Sequence, residues 1–285
     1  MNIGIIGNGF VGNAMTLLEP AIGCLVWDID PKKRVPDDIN FSTFINMSQI
    51  IFVAVPTPMR KDGSCSTHIV EDVVKEVKAV DGKKFIVLRS TVTPGTCKKL
   101  GVSFMPEFLT EKNWEQDFKE CTDWYLGTNN EDLYVMIKEM FGLAYAANLV
   151  KTDQVVRCSP EEAELVKYFR NCFLSVKVSF CNEFETICNA IDVDYNSVVK
   201  MAAVDKRIGL AHTAVPGHDG RRGFGGTCFP KDTNALTAFM KSKGVLTPIL
   251  ESVLYRNEQI DRPEKDWEKD KGRAVVNEDK EDKAM

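Results

Sequence analysis

The residues with the clearest chemical potential lie in the run Arg-Arg-Gly-Phe-Gly-Gly-Thr-Cys-Phe-Pro-Lys-Asp-Thr, at 221–233. A thiol, an ammonium group and a carboxylate follow one another there, at Cys228, Lys231 and Asp232. Residues 232–243 have helical character, and we expect Asp232 to cap that helix. A helix N-terminus and a nearby lysine favour the thiolate, the nucleophilic form of cysteine. The pattern predicts covalent chemistry at Cys228; the alternative is a glycine-rich turn around a buried structural cysteine.

Glycines precede this thiol. Because they lack a side chain, Gly223 and Gly225 let the backbone pass close to a bound molecule. We therefore predict substrate contacts from Gly223, Phe224 and Gly225.

The composition restricts the class of protein. The 285 residues are 44% hydrophobic, which suits one large or two ordinary domains. A net charge of -5 without a basic stripe argues against nucleic-acid and anionic-membrane partners and favours a small ligand. Nine cysteines without paired spacing argue against a disulfide framework and a zinc site, and we predict no metal. With no membrane-length apolar run and no signal-peptide pattern, we expect a cytoplasmic protein.

A nucleotide-binding pattern opens the chain. Residues 2–6 form an apolar run that predicts a buried parallel strand. The next residues are Gly7-Asn8-Gly9-Phe10-Val11-Gly12, and helical spacing follows. In a dinucleotide-binding fold Gly7 would make the turn, Gly9 would admit the pyrophosphate and Gly12 would let the helix pack on the strand.

An acidic residue completes this pattern. A second predicted strand, 24–27, ends in Asp28, where a carboxylate accepts the ribose hydroxyls of NAD and repels the extra phosphate of NADP. The basic residues at 32–34 favour NADP in principle, but we interpret them as a solvated turn because Asp28 comes first. The alternative for Asp28 is an exposed loop acid.

Further apolar runs alternate with helical ones. We predict strands at 50–55, 85–88, 102–105, 124–126 and 147–150, and helices at 69–80 and 131–141. This alternation predicts an α/β fold with a doubly wound, Rossmann-type parallel sheet. Ligands bind such sheets at the carboxyl ends of the strands, so we expect the loops 56–58, 90–95 and 106–109 to line the site.

The character changes at Ser159, where a capping box opens a helix predicted over 160–191, roughly 45 Å long. On this helix Lys167 and Asn171 are four residues apart and share one face, so both side chains can contact the same ligand atom. The alternative is an ordinary exposed helix pair. We therefore divide the chain into a nucleotide-binding domain (1–158), a helical central domain (159–262) and a charged, disordered tail (263–285).

Several motifs, in order along the chain, resemble the UDP-glucose/GDP-mannose dehydrogenase family of nucleotide-sugar dehydrogenases. They are Gly7 to Gly12, Val53 to Pro58, Ser90-Thr91-Val92, Pro106 to Leu109, Lys167-Tyr168 with Asn171, Asn182-Glu183, Asp205 with Arg207-Ile208-Gly209, and Gly223 to Asp232. The last motif is highly specific. Members of that family continue into a second Rossmann-like, UDP-binding domain, and we expect this protein to lack it.

The resemblance implies a four-electron oxidation of a primary alcohol to a carboxylate with two NAD consumed. Cys228 would form a thiohemiacetal and then a thioester. Lys167 and Asn171 would stabilise the oxyanion, and Glu107 would be the base for water attack. Further implied contributions come from Thr91 and Asp232, which would hold that water, and from Lys231, which would support the thiolate or the substrate.

The resemblance also implies the binding contacts. Cofactor contacts are expected from Gly7, Gly9, Phe10, Val11, Gly12, Asp28, Lys33, Pro56, Thr57 and Thr91. Phe108 and Leu109 would line the sugar pocket, and Arg207 would reach the substrate of the neighbouring subunit, which implies a homodimer built on the long helix. The favoured substrate is UDP-glucose, in polysaccharide biosynthesis.

Three alternatives remain open at this point. One is another nucleotide sugar, such as GDP-mannose or UDP-N-acetylmannosamine. The second is a single-hydride hydroxyacid dehydrogenase, which also carries a Lys-x-x-x-Asn pair on a long helix but needs no thiol, so Cys228 argues against it. The third is a binding protein without turnover that senses NAD or a nucleotide sugar.

Overall fold

A computed structural model describes residues 1–277 of the chain, which divide into two compact units. Unit 1 comprises Met1–Thr57 and Thr67–Lys167, and unit 2 comprises Pro58–Ser66 and the residues from Tyr168 onward. The sequence predicted a domain boundary at 158, whereas these units divide after Lys167, inside the long helix. The reason lies in the first turns of that helix, where Ala163 is fully buried in a core cluster of unit 1.

Unit 1 contains a seven-stranded sheet with the order β2-β1-β3-β4-β5-β6-β7. The strands are β1 (Asn2–Ile6), β2 (Gly23–Trp27), β3 (Ile50–Val53), β4 (Phe85–Leu88), β5 (Ser103–Phe104), β6 (Trp124–Gly127) and β7 (Val155–Cys158). Neighbouring strands are parallel except for β5 and β6, which pair antiparallel at Phe104 and Gly127. The predicted α/β fold with a Rossmann-type sheet is confirmed, with this single antiparallel pair as the departure.

Ten α-helices accompany the sheet in the described part of the chain. They are α1 (Phe10–Thr16), α2 (Phe41–Met47), α3 (His68–Val80), α4 (Thr96–Leu100), α5 (Trp114–Lys119), α6 (Glu131–Ala146), α7 (Pro160–Ala190), α8 (Tyr195–Ala202), α9 (Phe229–Ser242) and α10 (Pro248–Arg256). Two clusters of buried apolar side chains pack against the sheet of unit 1, one centred on Ile5, Phe52 and Phe141 and the other on Phe44, Ile51 and Val74. Parallel strands buried in this way carry continuous apolar runs, which explains why the sequence predicted them well.

One predicted strand is wrong. Residues 147–150 follow the end of α6 in a turn, where Asn148 has a positive φ of 57° and Val150 is buried against the core. The last strand is β7, eight residues beyond the start of that prediction. A short apolar run carries no period that separates a strand from a buried helix end.

The central part of the chain is helical, as predicted. Helix α7 has 31 residues, and unit 2 contains its greater part together with α8, α9 and α10. A helical turn over Asn257–Asp261 continues α10. None of the helices in residues 1–277 has the length and apolarity needed to cross a membrane.

Residues 263–277 were predicted to be a disordered tail, but in the structure they are folded against the rest of unit 2. Trp267 is 3% exposed in a 3-10 helix, Asp266–Lys269, and the backbone N–H of Val276 donates to the carbonyl of Met59 at 2.9 Å. One buried tryptophan and an ion pair between Arg262 and Asp266 order a segment whose composition is mostly charged. The prediction for 278–285 lies outside the described residues.

Candidate active site

The glycine-rich turn connects β1 to α1 in unit 1. Gly7 has a positive φ of 94°, a conformation that favours glycine, and a side chain at Gly12 would lie 1.9 Å from the carbonyl oxygen of Gly7. At Gly9, by contrast, an added Cβ would meet no protein atom within 4 Å. Packing therefore requires glycine at 7 and 12, whereas the open space at Gly9 leaves room for the close approach of a pyrophosphate. These features fit a bound dinucleotide, and Phe10 and Val11 begin the helix that faces it.

Asp28 follows the last residue of β2 and contacts this turn. Its carboxylate accepts the backbone N–H of Asn8 at 2.7 Å and that of Asp30 at 2.9 Å. Each oxygen keeps acceptor capacity for a ribose hydroxyl. The carbonyl of Lys33 accepts from the side chain of Asn8, so the chain at Lys33 also borders the turn. Asp28 is thus a fixed, half-buried acid at the nucleotide end and not a free loop residue.

The sequence indicated that Arg34 lies in a solvated turn, but its side chain is held by neighbouring groups. Its Nε donates to the carbonyl of Asp28 at 2.9 Å, and its guanidinium lies 3.8 Å from the ring centre of Trp27. The aromatic ring and this carbonyl hold the arginine beside Asp28.

The first residues after β3, up to Thr57, and the loop after β4 also lie in unit 1. Thr57 and Thr91 are buried, and Ser90 donates its hydroxyl to the carbonyl of Val55 at 2.6 Å, which joins the two loops. Pro56 lies in the same segment. The strand ends therefore position Pro56, Thr57 and Thr91 along one edge of the sheet.

Glu164 of α7 holds the second of these loops, a role that the sequence analysis missed. Its carboxylate, fully buried, accepts the backbone N–H groups of Gly95 at 2.6 Å and Cys97 at 2.8 Å. Burial raises the pKa of Glu164, and the bonds from the two backbone N–H groups oppose that rise. The capping box at Ser159 marked the start of this helix but gave no sign of its partner loop.

Glu107 and Lys167 form a buried ion pair in unit 1. The ammonium group of Lys167 lies 2.6 Å from Oε1 of Glu107 and 2.7 Å from the Glu107 carbonyl oxygen. The other carboxylate oxygen, Oε2, accepts the backbone N–H of Leu109 at 2.7 Å. Both side chains are about 95% buried, at 4% and 5% exposure. This pairing brings together two predicted catalytic residues that are 60 positions apart.

The aromatic ring of Phe108 belongs to the same group. It meets the ring of Tyr125 edge to face at 6.2 Å, and the Lys167 ammonium lies 5.9 Å from its centre. Leu109 packs partly buried against the core. The loop 106–109 therefore presents Glu107 on a rigid base.

Unit 2 carries the thiol. Cys228 is the N-terminal cap residue of α9 and is half-buried. The helix begins at Phe229, with Pro230 in its first turn, so the prediction that Asp232 caps it is wrong. Proline suits that first turn, where its missing N–H is not needed, and this moves the helix start three residues toward the thiol.

Asp232 instead lies inside the first turn of α9 with no exposed surface. Its Oδ1 accepts from Lys231 at 2.5 Å and its Oδ2 from the side-chain amide of Asn171 at 2.6 Å. Burial is the largest single influence on the pKa of Lys231 and lowers it, but the charge and hydrogen bond of Asp232, together with Cys65 and Cys228, raise that pKa above its ordinary value. Lys231 therefore stays charged in the turn that carries the thiol.

Another cysteine of unit 2 provides a contrast. Cys172 points its thiol at the carbonyl of Asp232, and burial together with that carboxylate raises its pKa to about 12. A thiol in this state is inert at neutral pH. Cys228, at a helix start, lies in the environment that suits a nucleophile.

Two buried asparagines hold the glycine-rich run before Cys228. Asn182 accepts the backbone N–H of Gly223 at 3.1 Å. Asn257 accepts the N–H of Phe224 at 2.8 Å and donates to its carbonyl at 2.9 Å. A Cβ at Gly225 would lie 2.5 Å from the guanidinium carbon of Arg262. Asn182 belongs to one of the sequence motifs named above, whereas no sequence pattern pointed to Asn257.

Arg207 is a predicted substrate residue that the structure places apart from this run. Its side chain is 90% exposed and bonds in a forked arrangement to Asp205, with an Nη2 to Oδ2 distance of 2.5 Å. The structure thus gives two groups, Glu107 with Lys167 in unit 1 and Asn171 with Lys231 and Asp232 in unit 2. Within residues 1–277 no cluster of three or more potential metal ligands occurs.

Comparison with known proteins agrees with this architecture. A model of the NAD binding domain of the UDP-glucose/GDP-mannose dehydrogenase family matches residues 15–144, and the central-domain model of that family matches residues 161–259. A UDP-glucose 6-dehydrogenase of Rickettsia bellii is 30% identical over 91% of this chain and 67% of its own length. A GDP-mannose 6-dehydrogenase of Pseudomonas putida is 28% identical over 85% of this chain and 58% of its own length.

A solved structure shows the same fold. The UDP-glucose dehydrogenase of the hyperthermophilic archaeon Pyrobaculum islandicum superposes with a TM-score of 0.78 at 27% identity, covering 90% of this chain and 68% of the archaeal one. Sheet, glycine-rich turn and family matches together define an NAD-dependent nucleotide-sugar dehydrogenase. The chain belongs to the UDP-glucose/GDP-mannose dehydrogenase family, so the resemblance drawn from its sequence and the prediction of NAD are confirmed.

Proposed function

We propose that the protein oxidises UDP-glucose to UDP-glucuronate through a covalent intermediate on Cys228. The observation that carries the proposal is the half-buried thiol at the start of α9, with the charged Lys231 in the first turn of that helix. Relatives that share 30% of the sequence bear the name UDP-glucose 6-dehydrogenase, which favours this substrate. GDP-mannose is the second candidate, because a GDP-mannose 6-dehydrogenase is 28% identical.

The proposed chemistry has three stages. NAD, held by the glycine-rich turn and Asp28, would supply the hydride acceptor for each of the two oxidations. After the first, the Cys228 thiolate adds to the aldehyde carbon and gives a thiohemiacetal, whose oxyanion is stabilised by Lys167 and Asn171. The second hydride loss turns this adduct into a thioester.

Hydrolysis is the third stage. Glu107 takes a proton from water, whose oxygen bonds to the acyl carbon while the carbon–sulfur bond breaks and the thiolate is restored. Thr91 positions that water, whereas the enclosed Asp232 holds Lys231 and Asn171 in place, and Lys231 stabilises the thiolate. Binding of the sugar is assigned to Phe108, Leu109 and the backbone from Gly223 to Gly225. Rigid loops suit this task, since hydrolysis needs water held within bonding distance of the base.

Cys228→Ser tests the covalent step. An oxygen ester is a much poorer acyl donor than a thioester, so we expect steady-state NADH formation to fall on the order of 10³-fold or more while NAD and the nucleotide sugar still bind. Intact mass spectrometry would detect the trapped acyl-enzyme. Cys172→Ser is the matched control and keeps turnover. A folded Cys228→Ser protein that still releases two NADH per sugar would falsify the mechanism.

A panel of nucleotide sugars tests the substrate. UDP-glucose, GDP-mannose and UDP-N-acetylmannosamine are compared by NADH production at equal concentration. We expect the highest kcat/KM for UDP-glucose.

We also propose that the protein is a homodimer built on α7. Apolar side chains recur at helical spacing along one face of its unit 2 portion and are 40–72% exposed: Phe169, Phe173, Phe180, Phe184 and Ile187. Val176 of the same face lines a groove with Ile249 and Val253 of α10. A continuous aliphatic and aromatic face of this kind is typical of a twofold interface between copies of one chain. Arg207 would then serve the neighbouring subunit.

Sedimentation velocity tests this assembly. We expect a dimer for the parent and a monomer for the double variant Phe173→Asp/Phe180→Asp. Val135→Asp on α6, which changes a 54% exposed apolar residue outside that face, should remain dimeric. A monomeric parent protein at working concentration contradicts the proposal.

A further inference from the structure

Arg89 is a buried cation that the proposed chemistry does not use. It follows the last residue of β4 and is 2% exposed. Its Nε and Nη1 atoms have no hydrogen-bond partner among residues 1–277. Burial lowers its pKa, with Glu107 and Cys121 acting in the opposite direction. Because an unsolvated guanidinium is very costly inside a protein, these two nitrogens need a partner that is not a protein atom.

A cavity of unit 1 lies against this side chain. Its volume open to water is about 30 Å³, and its polar lining includes Arg89, Glu107, Asp117, Cys121 and Asp123. Glu107 is buried, whereas Asp117 and Asp123 are half-buried and mark the end nearer to solvent. The cavity therefore brings the buried carboxylate of Glu107 and the guanidinium of Arg89 into one space with two half-buried carboxylates.

The occupant that fits is water. One buried water needs about 10–15 Å³ and two to four polar partners, so the cavity has room for roughly two. An anion would satisfy Arg89 as well, but three carboxylates in the lining oppose a second negative charge. A sugar or nucleotide is far too large for this volume.

We propose that Arg89 is a positioning residue that holds a short chain of water between Glu107 and the surface carboxylates Asp117 and Asp123. This inference rests on the proposed function: the chain of water is the exit for the proton that Glu107 receives when water attacks the thioester. The proton passes from Glu107 to cavity water and on to solvent, which leaves Glu107 ionised for the next turnover. Lys167 and the N–H of Leu109 occupy one acceptor position on each oxygen of Glu107 and leave further lone pairs for this water.

The water itself is tested without catalysis, by NMR on the parent protein. We expect the Nε–H proton of Arg89 to show a cross-relaxation peak to long-lived water. Arg262 is the matched control, because it is 3% exposed and its Nε donates directly to Asp266 at 2.7 Å. It should show no such peak. Absence of the peak at Arg89, or a bound anion there in a crystal structure, overturns the water chain.

The role in turnover is tested with Arg89→Met and Arg89→Lys. We expect Arg89→Met to lower kcat about 10- to 100-fold, less than the ~10²–10⁴-fold effect of a general base itself, with KM and NAD affinity little changed. The thioester should accumulate by intact mass. Arg89→Lys, which keeps one donor group in the cavity, should recover part of the rate, a rescue that a purely structural role would not require.

A surface change provides the kinetic control. Lys119→Met removes an exposed positive charge from α5 beside this region and should leave kcat unchanged. Unchanged hydrolysis in folded Arg89→Met contradicts the positioning role. If instead no nucleotide sugar acylates the parent enzyme, the proposed function fails and the proton exit with it, while the NMR result still decides whether water solvates Arg89.

Discussion

Two buried lysine–carboxylate pairs, one in each unit, have almost the same local chemistry. Lys167 bonds Glu107 at 2.6 Å, and Lys231 bonds Asp232 at 2.5 Å. In both cases a second donor binds the other carboxylate oxygen, the backbone N–H of Leu109 or the amide of Asn171. The surroundings differ, because Glu107 lines a cavity whereas Asp232 is fully enclosed in the first turn of α9. A buried pair can thus be a proton-transfer group or an anchor, depending on the space beside it.

Glu107→Gln should have the largest effect and act on rate. Glutamine keeps an acceptor for Lys167 but cannot take a proton, so we expect NADH turnover to fall by about 10²–10⁴-fold with the acyl-enzyme accumulating. Glu115→Gln, an exposed position on α5, is the control and should retain turnover. If Glu107→Gln turned over at the parent rate, the distinction between the two pairs would be lost.

Asp232→Asn should act mainly on stability. Lys231 would be left buried without its counter-ion, which costs about 3–5 kcal/mol of unfolding free energy in comparable sites. Urea denaturation measures this loss. Glu120→Gln, in an exposed ion pair with Lys151, should change stability by less than about 1 kcal/mol. A fully stable Asp232→Asn protein with slowed hydrolysis would show that Asp232 is no anchor.

Glu164 is a third buried carboxylate, and it accepts two backbone N–H groups where the other two pair with lysine. Burial raises its pKa above the ordinary 4.5. Its proton is therefore bound more tightly in the folded chain than in the unfolded one. The unfolding free energy should fall as pH rises from about 4.5 through the raised value.

The effect of Glu164 is the smallest of the three and is measured by difference. Urea denaturation of the parent and of Glu164→Gln is compared at several pH values between 4 and 8. Groups common to both proteins cancel, so only the parent should lose stability from this source as pH rises. Parallel curves for the two proteins would mean that Glu164 does not carry this dependence.

Local patterns in the sequence predicted much of the fold. The strand predicted at 85–88 is β4, Phe85–Leu88, and the helix predicted at 160–191 is α7, Pro160–Ala190. The strand is a continuous apolar run, and the helix is preceded by a capping box. The turn at Gly7 to Gly12 and the acid at Asp28 were equally accessible, since their spacing along the chain is itself the signal.

Interactions between distant positions were not accessible. The partner of Lys167 lies 60 residues away, and Glu164 reaches Gly95 across 69. The asparagine that accepts from Gly223 comes from α7, and the one that accepts from Phe224 comes from the end of α10. Nothing in one sequence shows which polar groups will meet when helices and loops pack.

The sequence by itself determined the order of strands and helices, the nucleotide-binding turn and the residue types available for catalysis, because each depends on neighbours in the chain. Only the tertiary structure decided that Glu107 has space beside it, that Asp232 is fully enclosed and that Arg89 lines a cavity with two of its nitrogens unbonded within residues 1–277. The physical reason is desolvation. The cost and the use of a buried charge depend on every atom around it, and those atoms come together only when the chain folds.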